Sequence, residues 1–232
     1  MMDQVRIAFV GGGNMASAIL GGLSRQGFAL QRVMVVDPDS AAAQRLGPSG
    51  VQVLAQPGPE LAAADWVIWA VKPQVFAQAA QAAAPFVKQA LHLSVAAGIT
   101  TDSMAQWLGT QRIVRAMPNT PALVGQGQMG LYARPGVSAD DRAGLESVLN
   151  SLGQCLWVDA EPLLDAVTAL SGSGPAYFFY FVEAMVRSGV AMGLSEAQAQ
   201  QLAVGTMSGA AEMIRQSADS PSVLREKVTS KG

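Results

Sequence analysis

The chain has 232 residues, half of them apolar and 14% charged, which is core material for one large domain or two smaller ones. The formal charge of −2 is spread without blocks of like sign, excluding the basic face that grips nucleic acid, and no apolar run is long enough for a signal peptide or a membrane span, so a soluble, cytoplasmic protein is expected. Cys155 and His92 are the only residues of their kinds, so a disulfide framework and a Cys/His zinc site are excluded, no metal is expected, and the lone thiol fits a reducing compartment.

Residues 6–10, Arg-Ile-Ala-Phe-Val, are an apolar run of strand length. Gly11-Gly12-Gly13 follows, and residues 14–24 show helical spacing, with Met15, Ala18, Ile19, Gly22 and Leu23 on one side. Strand, glycine turn and helix is the context in which G-x-G-x-x-G/A, here Gly11, Gly13 and Ala16, indicates a dinucleotide site. Gly11 permits the tight turn, Gly13 lets a pyrophosphate approach the backbone, and Ala16 lets the helix pack closely on its strand. The helix start offers unpaired N–H groups and the positive end of its dipole to the phosphates. The alternative is a glycine-rich turn in some other α/β protein.

Val33-Met34-Val35-Val36-Asp37 reads as a second strand ending in an acid, about 20 residues beyond the motif, where such folds place the carboxylate that bonds the adenosine ribose. A carboxylate there repels a 2′-phosphate and favours NADH, whereas Ser40 and Arg45 lie near enough to hold one. Equally, Asp37-Pro38-Asp39-Ser40 could simply start the next helix, with Asp39 or Ser40 as its N-cap. Residues 51–54 give a weak third strand, ended by Gln56-Pro57-Gly58-Pro59.

Residues 66–71 form a continuous apolar run, as expected for a parallel strand buried on both faces. Lys72-Pro73 then opens a helix reaching about Ala84, and Leu91-His92-Leu93-Ser94-Val95 repeats the pattern before Ala96-Ala97-Gly98. Alternating strands and helices mean a doubly wound parallel sheet with its ligands at the C-terminal strand ends, where Lys72 and the Ala96-Ala97-Gly98 turn both fall. Lys72 could also be a solvated helix-start residue, and His92, inside a strand, is read as structural.

Residues 113–117 make another strand, followed by the stiff loop Pro118-Asn119-Thr120-Pro121. Short strands at 127–132 and 156–158 flank a helix at 139–152 and close a first domain, residues 1–160. The second, residues 161–232, reads as helical throughout. A helix at 162–170 precedes the chain break Ser171-Gly172-Ser173-Gly174-Pro175, with Pro175 in the first turn of a helix at 176–192. Gly193 ends that helix, and Ser195 with Gln198 caps the next, to about Gln216. Its Ala-, Met- and Gly-rich surface suggests burial against a partner chain, since so few residues make no adequate core.

The segments GGGNMASAILGGL, AVKPQ, RAMPNTPALVGQG and ALSGSGPAYFFYFVEAM, in this order, resemble the pyrroline-5-carboxylate reductases over essentially the whole chain. The resemblance implies a Rossmann-type domain followed by a helical domain that interleaves with its twin in a homodimer or higher homo-oligomer. It also implies reduction of a small cyclic imino acid, 1-pyrroline-5-carboxylate, to L-proline in the last step of proline biosynthesis. NADPH is the cofactor on family grounds, with NADH the alternative on Asp37 alone. By the family pattern Val10, Gly11, Gly12, Gly13, Asn14 and Met15 would hold the pyrophosphate, and Asp37 would face the ribose. Ala70, Val71, Lys72 and Pro73, with Val95, Ala96 and Ala97, would line the dinucleotide, and Met117 would sit beside the nicotinamide. Asn119, Thr120, Ser173 and Ser230 would form the catalytic set. A protonated imine is already electrophilic, so positioning and water exclusion suffice, without a metal or covalent nucleophile.

Family members continue after Val-Thr-Ser with Pro-Gly-Gly-Thr-Thr, a loop that holds the imine's carboxylate, whereas here Val228-Thr229-Ser230 is followed by Lys231-Gly232. This carries the expectation of a truncated or short form that binds cofactor but turns over poorly. Two rival readings are a non-catalytic dinucleotide-binding protein and a β-hydroxyacid-type dehydrogenase. The latter uses a lysine of the helical domain as its acid, and residues 176–216 offer only Arg187 and Arg215 as basic groups.

Overall fold

The computed structural model describes residues 5–229 and divides into two compact units, 1–173 and 174–232. In the first, eight strands form one sheet in which the third, second and first strands of the chain are followed in space by the fourth to the eighth. The six parallel strands are β1 (Ile7–Val10), β2 (Val33–Val36), β3 (Gln52–Leu54), β4 (Trp66–Trp69), β5 (Leu91–Ser94) and β6 (Ile113–Met117). Each is linked to the next through helical turns, among them α1 (Asn14–Arg25), α2 (Ser40–Leu46), α3 (Pro73–Ala83) and α4 (Thr101–Leu108). β1, β2, β4 and β5 are buried at every position because helices cover both sheet faces.

Alternate strand residues feed separate cores. Ile7, Phe9, Val33, Val35, Ile68 and Leu93 join α1 on one face. Ala8, Val10, Val36, Val67 and Trp69 pack with Phe76 and Met104 on the other. On α1, a Cβ at Gly22 would lie 2.3 Å from Ser151 Oγ, so that helix owes its seat to small residues.

Beyond β6 the pattern departs from the all-parallel expectation. β7 (Gly127–Ala133) returns antiparallel, because residues 118–126 are too few to build a crossover. The helix α5 (Ala139–Leu149) then restores a parallel crossover to β8 (Gly153–Trp157). The β8 strand starts earlier than the expected 156–158. Its first residue faces Gly127 so closely that a Cβ at Gly153 would lie 1.9 Å from the Gly127 carbonyl oxygen.

The expected helix at 162–170 is two structures. α6 (Leu163–Val167) runs into a π-helical turn, Thr168–Gly172, and the predicted five-residue break shrinks to one bend at Ser173. The hydroxyls of Thr168 and Ser171 donate to the carbonyls of Leu164 and Val167, which bends the helix without ending it.

The second unit holds α7 (Gly174–Ala191), α8 (Glu196–Gln216) and α9 (Pro221–Val228). Gly193 ends α7 with φ +103°, and Ser195 and Gln198 close the capping box that begins α8. The buried residues of these helices are Gly174, Gly189, Ala199 and Ala203, so no large apolar side chain is buried among them. Phe178, Phe179, Tyr180 and Phe181 are each 60–67% exposed. No helix of the described residues is long and apolar enough to cross a membrane.

Candidate active site

Strand register builds the site. Val36, Val10, Trp69, Ser94 and Arg115 are aligned across β2, β1, β4, β5 and β6. Just beyond this row Gly11, Asp37, Ala70 and Val95 follow their strands at one edge of the sheet, and Met117 ends β6 there with Asn119 two residues on. Gly11, Asp37 and Ala70 line the crevice between β1 and β4 where strand order reverses, the place at which open α/β sheets bind ligands.

Gly11 makes the turn possible. Its φ is +97°, and a Cβ there would lie 2.6 Å from the Ala70 carbonyl oxygen. Its N–H donates to Val36 O at 2.9 Å, and the Gly12 N–H donates to Asp37 Oδ2 at 2.7 Å. The protein itself therefore occupies the first two glycine amides. The next ones are open: no hydrogen bond among the described residues uses the amides of Gly13, Asn14, Met15 or Ala16, and no side chain caps α1. Gly13 and Asn14 are exposed, and a Cβ at Gly13 would meet nothing within 4 Å. An uncapped helix start of this kind is a ready site for a phosphate anion.

Beside it lies a cavity of about 480 Å³, lined among others by Val10, Gly11, Gly13, Asp37, Ala70 and Val71, with Lys72 also on its wall. Lys72 is the exposed residue preceding α3, and Pro73 forms its first turn. Gln56 and Pro57 behind β3, and Val75 and Gln78 of α3, line the same cavity. They were not singled out in the sequence, although the Gln56-Pro57 turn at a C-terminal strand end was a usable signal.

Asp39 is the N-cap of α2, accepting from the Ala41 amide. Asp37 is thereby left to the glycine loop, its other oxygen accepting from the Asp39 amide at 2.9 Å. Arg45 donates to the carbonyl of Gly12, the residue whose amide Asp37 accepts, so a guanidinium and a carboxylate meet the same glycine at the ribose end of the crevice. An NADP-type dinucleotide fits this donor set: free amides for the pyrophosphate, a carboxylate for a ribose hydroxyl, and an arginine within reach of a 2′-phosphate.

At the other end, Val95 is half-buried and its N–H donates to Trp69 O at 3.0 Å. The Ala96 amide donates to Ser94 Oγ at 3.2 Å, and Ala97 is exposed. Met117 ends β6, half-buried, and touches the π-turn: a Cβ at Gly172 would lie 2.9 Å from its Cε. Thr120 is exposed at the start of a short 3₁₀ turn, and Ser173 is exposed at the bend. Asn119 is buried, with both halves of its amide engaged by backbone groups. Ser230 lies outside the described residues.

One buried charge and its half-buried partner carry no pairing signal in the sequence. Arg115 of β6 pairs with Glu161 at 2.9 Å, and Glu161 also accepts from the amide and hydroxyl of Thr101 at 2.8 and 2.5 Å. Burial pushes the Cys155 thiol up to about 11, away from nucleophilic duty. His92 is fully buried and accepts from Trp69 Nε1, a structural placement. Among the described residues no cluster of His, Cys, Asp and Glu is able to hold a metal.

The fold and this crevice define a dinucleotide-dependent α/β oxidoreductase with a helical C-terminal unit. Residues 161–232 match the family model for pyrroline-5-carboxylate reductase dimerisation, and residues 6–98 match that for NADP oxidoreductase, coenzyme F420-dependent. The chain is 44% identical to the pyrroline-5-carboxylate reductase of Pseudomonas aeruginosa, over 99% of its own length and 85% of the relative's. Among solved structures it resembles the pyrroline-5-carboxylate reductase of Coxiella burnetii, with TM-score 0.90 and 35% identity over 99% of this chain and 86% of that one. It also resembles the Plasmodium falciparum pyrroline carboxylate reductase with NADP bound, with TM-score 0.89 and 27% identity over 100% of this chain and 87% of that one. The chain belongs to the pyrroline-5-carboxylate reductase family.

Proposed function

We propose that this protein reduces 1-pyrroline-5-carboxylate to L-proline with NADPH, the last step of proline biosynthesis, as a cytoplasmic homodimer or higher homo-oligomer. The observation that carries the reading is the open helix start: unclaimed amides from Gly13 to Ala16, at the strand-order reversal, in a chain of this family. When bound, NADPH supplies the hydride that adds to the carbon of the substrate's C=N bond.

The protein's own part is binding, orientation and exclusion of water. Gly13, Asn14 and Met15 hold the pyrophosphate through backbone N–H groups. Asp37 faces the ribose, and Arg45 can exchange the neutral Gly12 carbonyl for a 2′-phosphate, a stronger charge-assisted bond. That exchange favours NADPH although an acid follows β2, because Asp37 already commits a lone pair of each oxygen to the Gly12 and Asp39 amides. Val10, Gly11, Ala70, Val71 and Lys72 form the walls, Gly12 and Pro73 support them as the next residues of the two turns, and Val95, Ala96, Ala97 and Met117 lie toward the nicotinamide. Thr120 and Ser173 stand on the substrate side.

Residues 1–160 serve as the dinucleotide-binding domain, and residues 161–232 as the dimerisation and substrate domain. The family match to dimerisation supports this division, since it begins at residue 161. By packing, residues 161–173 lie in the first compact unit.

The test is NADPH oxidation at 340 nm with 1-pyrroline-5-carboxylate, run beside NADPH binding followed by fluorescence. Turnover that requires both compounds supports the reading, and NADPH binding without turnover contradicts it.

A further inference from the structure

Resting on that reading, we infer that Asn119 is a positioning residue: its buried side-chain amide fastens the π-turn Thr168–Gly172 across the end of β6 and so fixes where Ser173 stands relative to Met117. Asn119 is 7% exposed. Its Oδ1 accepts from the Gln128 amide at 2.9 Å, at the start of β7, and its Nδ2 donates to the Ser171 carbonyl at 3.0 Å, inside the π-turn. One planar group thus ties the loop after β6 to the start of β7, nine residues on, and to the π-turn, 52 residues on. A carboxamide neither gains nor loses charge near neutral pH, so its contribution here is geometric.

The π-turn needs such an external tie. Widening the helix to the Ser173 N–H to Thr168 O bond, 2.8 Å, takes the turn out of the α-helical ladder. The Thr168 and Ser171 hydroxyls compete for carbonyls of the preceding turn. From β6 the turn is held at two points, by Asn119 on the Ser171 carbonyl and by Met117 packed beneath Gly172. Both come from the strand end that faces the nicotinamide in the reading above, so a shift of the turn moves Ser173 with respect to the reacting carbon and leaves the pyrophosphate site untouched.

The test compares wild type, Asn119→Asp and Gly172→Ala. Aspartate keeps the acceptor for Gln128 but sets a carboxylate against the Ser171 carbonyl. Alanine at Gly172 presses on the flexible tip of Met117 and leaves Asn119 in place, so it guards against a folding defect of the first variant. We expect kcat to fall ~10- to 100-fold in Asn119→Asp and less in Gly172→Ala, the scale for small misplacements of bound groups. The NADPH dissociation constant should stay within about twofold in both, since neither variant touches the phosphate site. Hydrogen exchange at residues 168–173 should slow when NADPH binds to wild type, and not when it binds to Asn119→Asp.

Unchanged kcat with lowered thermal stability would overturn the inference in favour of a purely structural tie. A parallel loss of NADPH affinity would overturn it in favour of direct cofactor contact. Should wild type bind NADPH yet reduce no imine, the functional reading fails, and the exchange comparison alone decides the role of Asn119.

Discussion

At Gly11 two demands coincide that no other residue meets: a left-handed φ of +97°, and a Cβ position 2.6 Å from the Ala70 carbonyl oxygen. Gly11→Ala should cost on the order of 1–3 kcal/mol from backbone strain, more if β4 shifts, and should raise the NADPH dissociation constant; chemical denaturation and fluorescence titration would measure the two effects. This residue was legible in the sequence because a glycine triplet between a strand and a helix has few other uses. His92 was legible only as structural. Burial lowers its pKa from 6.5 to about 4, so the folded chain keeps it neutral while the unfolded chain protonates it below pH 6.5. Its contribution is therefore complete above pH 6.5 and is lost as pH falls toward 4, up to about 3 kcal/mol. Urea unfolding of wild type and His92→Gln at pH 7 and pH 4.5 should show the smaller acid loss in the variant, and identical losses would contradict the assignment.

At the scale of elements, the parallel strands and their helices could be read directly because buried strands are continuous apolar runs and their helices are amphipathic. What escaped depended on tertiary contact. The antiparallel turn-back of β7 follows from loop length, which became readable once the ends of β6 and β7 were fixed. The π-turn at Thr168–Gly172 looks like a Ser/Gly break in sequence, and only its hydrogen bonds show that the helix continues. Arg115 interrupts an otherwise apolar strand, a visible oddity whose partner lies far along the chain. Glu161 joins β6 to the start of α4 through Arg115 and Thr101, with Arg115 and Glu161 side chains 8% and 17% exposed. Glu161→Ala would leave Arg115 uncompensated and the Thr101 amide without its acceptor. We predict a loss of about 2 kcal/mol in stability, below the cost of breaking a fully buried pair because Glu161 is half-buried. An unchanged melting temperature would contradict that ledger.

For the whole molecule, the helical unit buries only small residues and leaves Phe178, Phe179, Tyr180 and Phe181 mostly exposed. A monomer rarely leaves so large an apolar face to water, and the match to a dimerisation family gives that face a second copy as its cover. Phe178→Glu combined with Phe181→Glu should convert the assembly to monomer in sedimentation velocity while NADPH still binds, because the open amides belong to the first unit. The need for a partner was legible as a lack of core. The residues of the substrate side were legible only through family resemblance, since no spacing rule announces a site whose chemistry needs neither metal nor nucleophile.

The central claim is that an uncapped helix start, whose glycine-loop neighbours are already satisfied by the fold, holds a dinucleotide's phosphates. The most direct measurement is a crystal structure with NADP⁺ soaked in. The diphosphate should lie within hydrogen-bond distance of the amides of Gly13 to Met15, with the nicotinamide toward Met117. Diphosphate density elsewhere, or an empty helix start under saturating NADP⁺, would contradict the account.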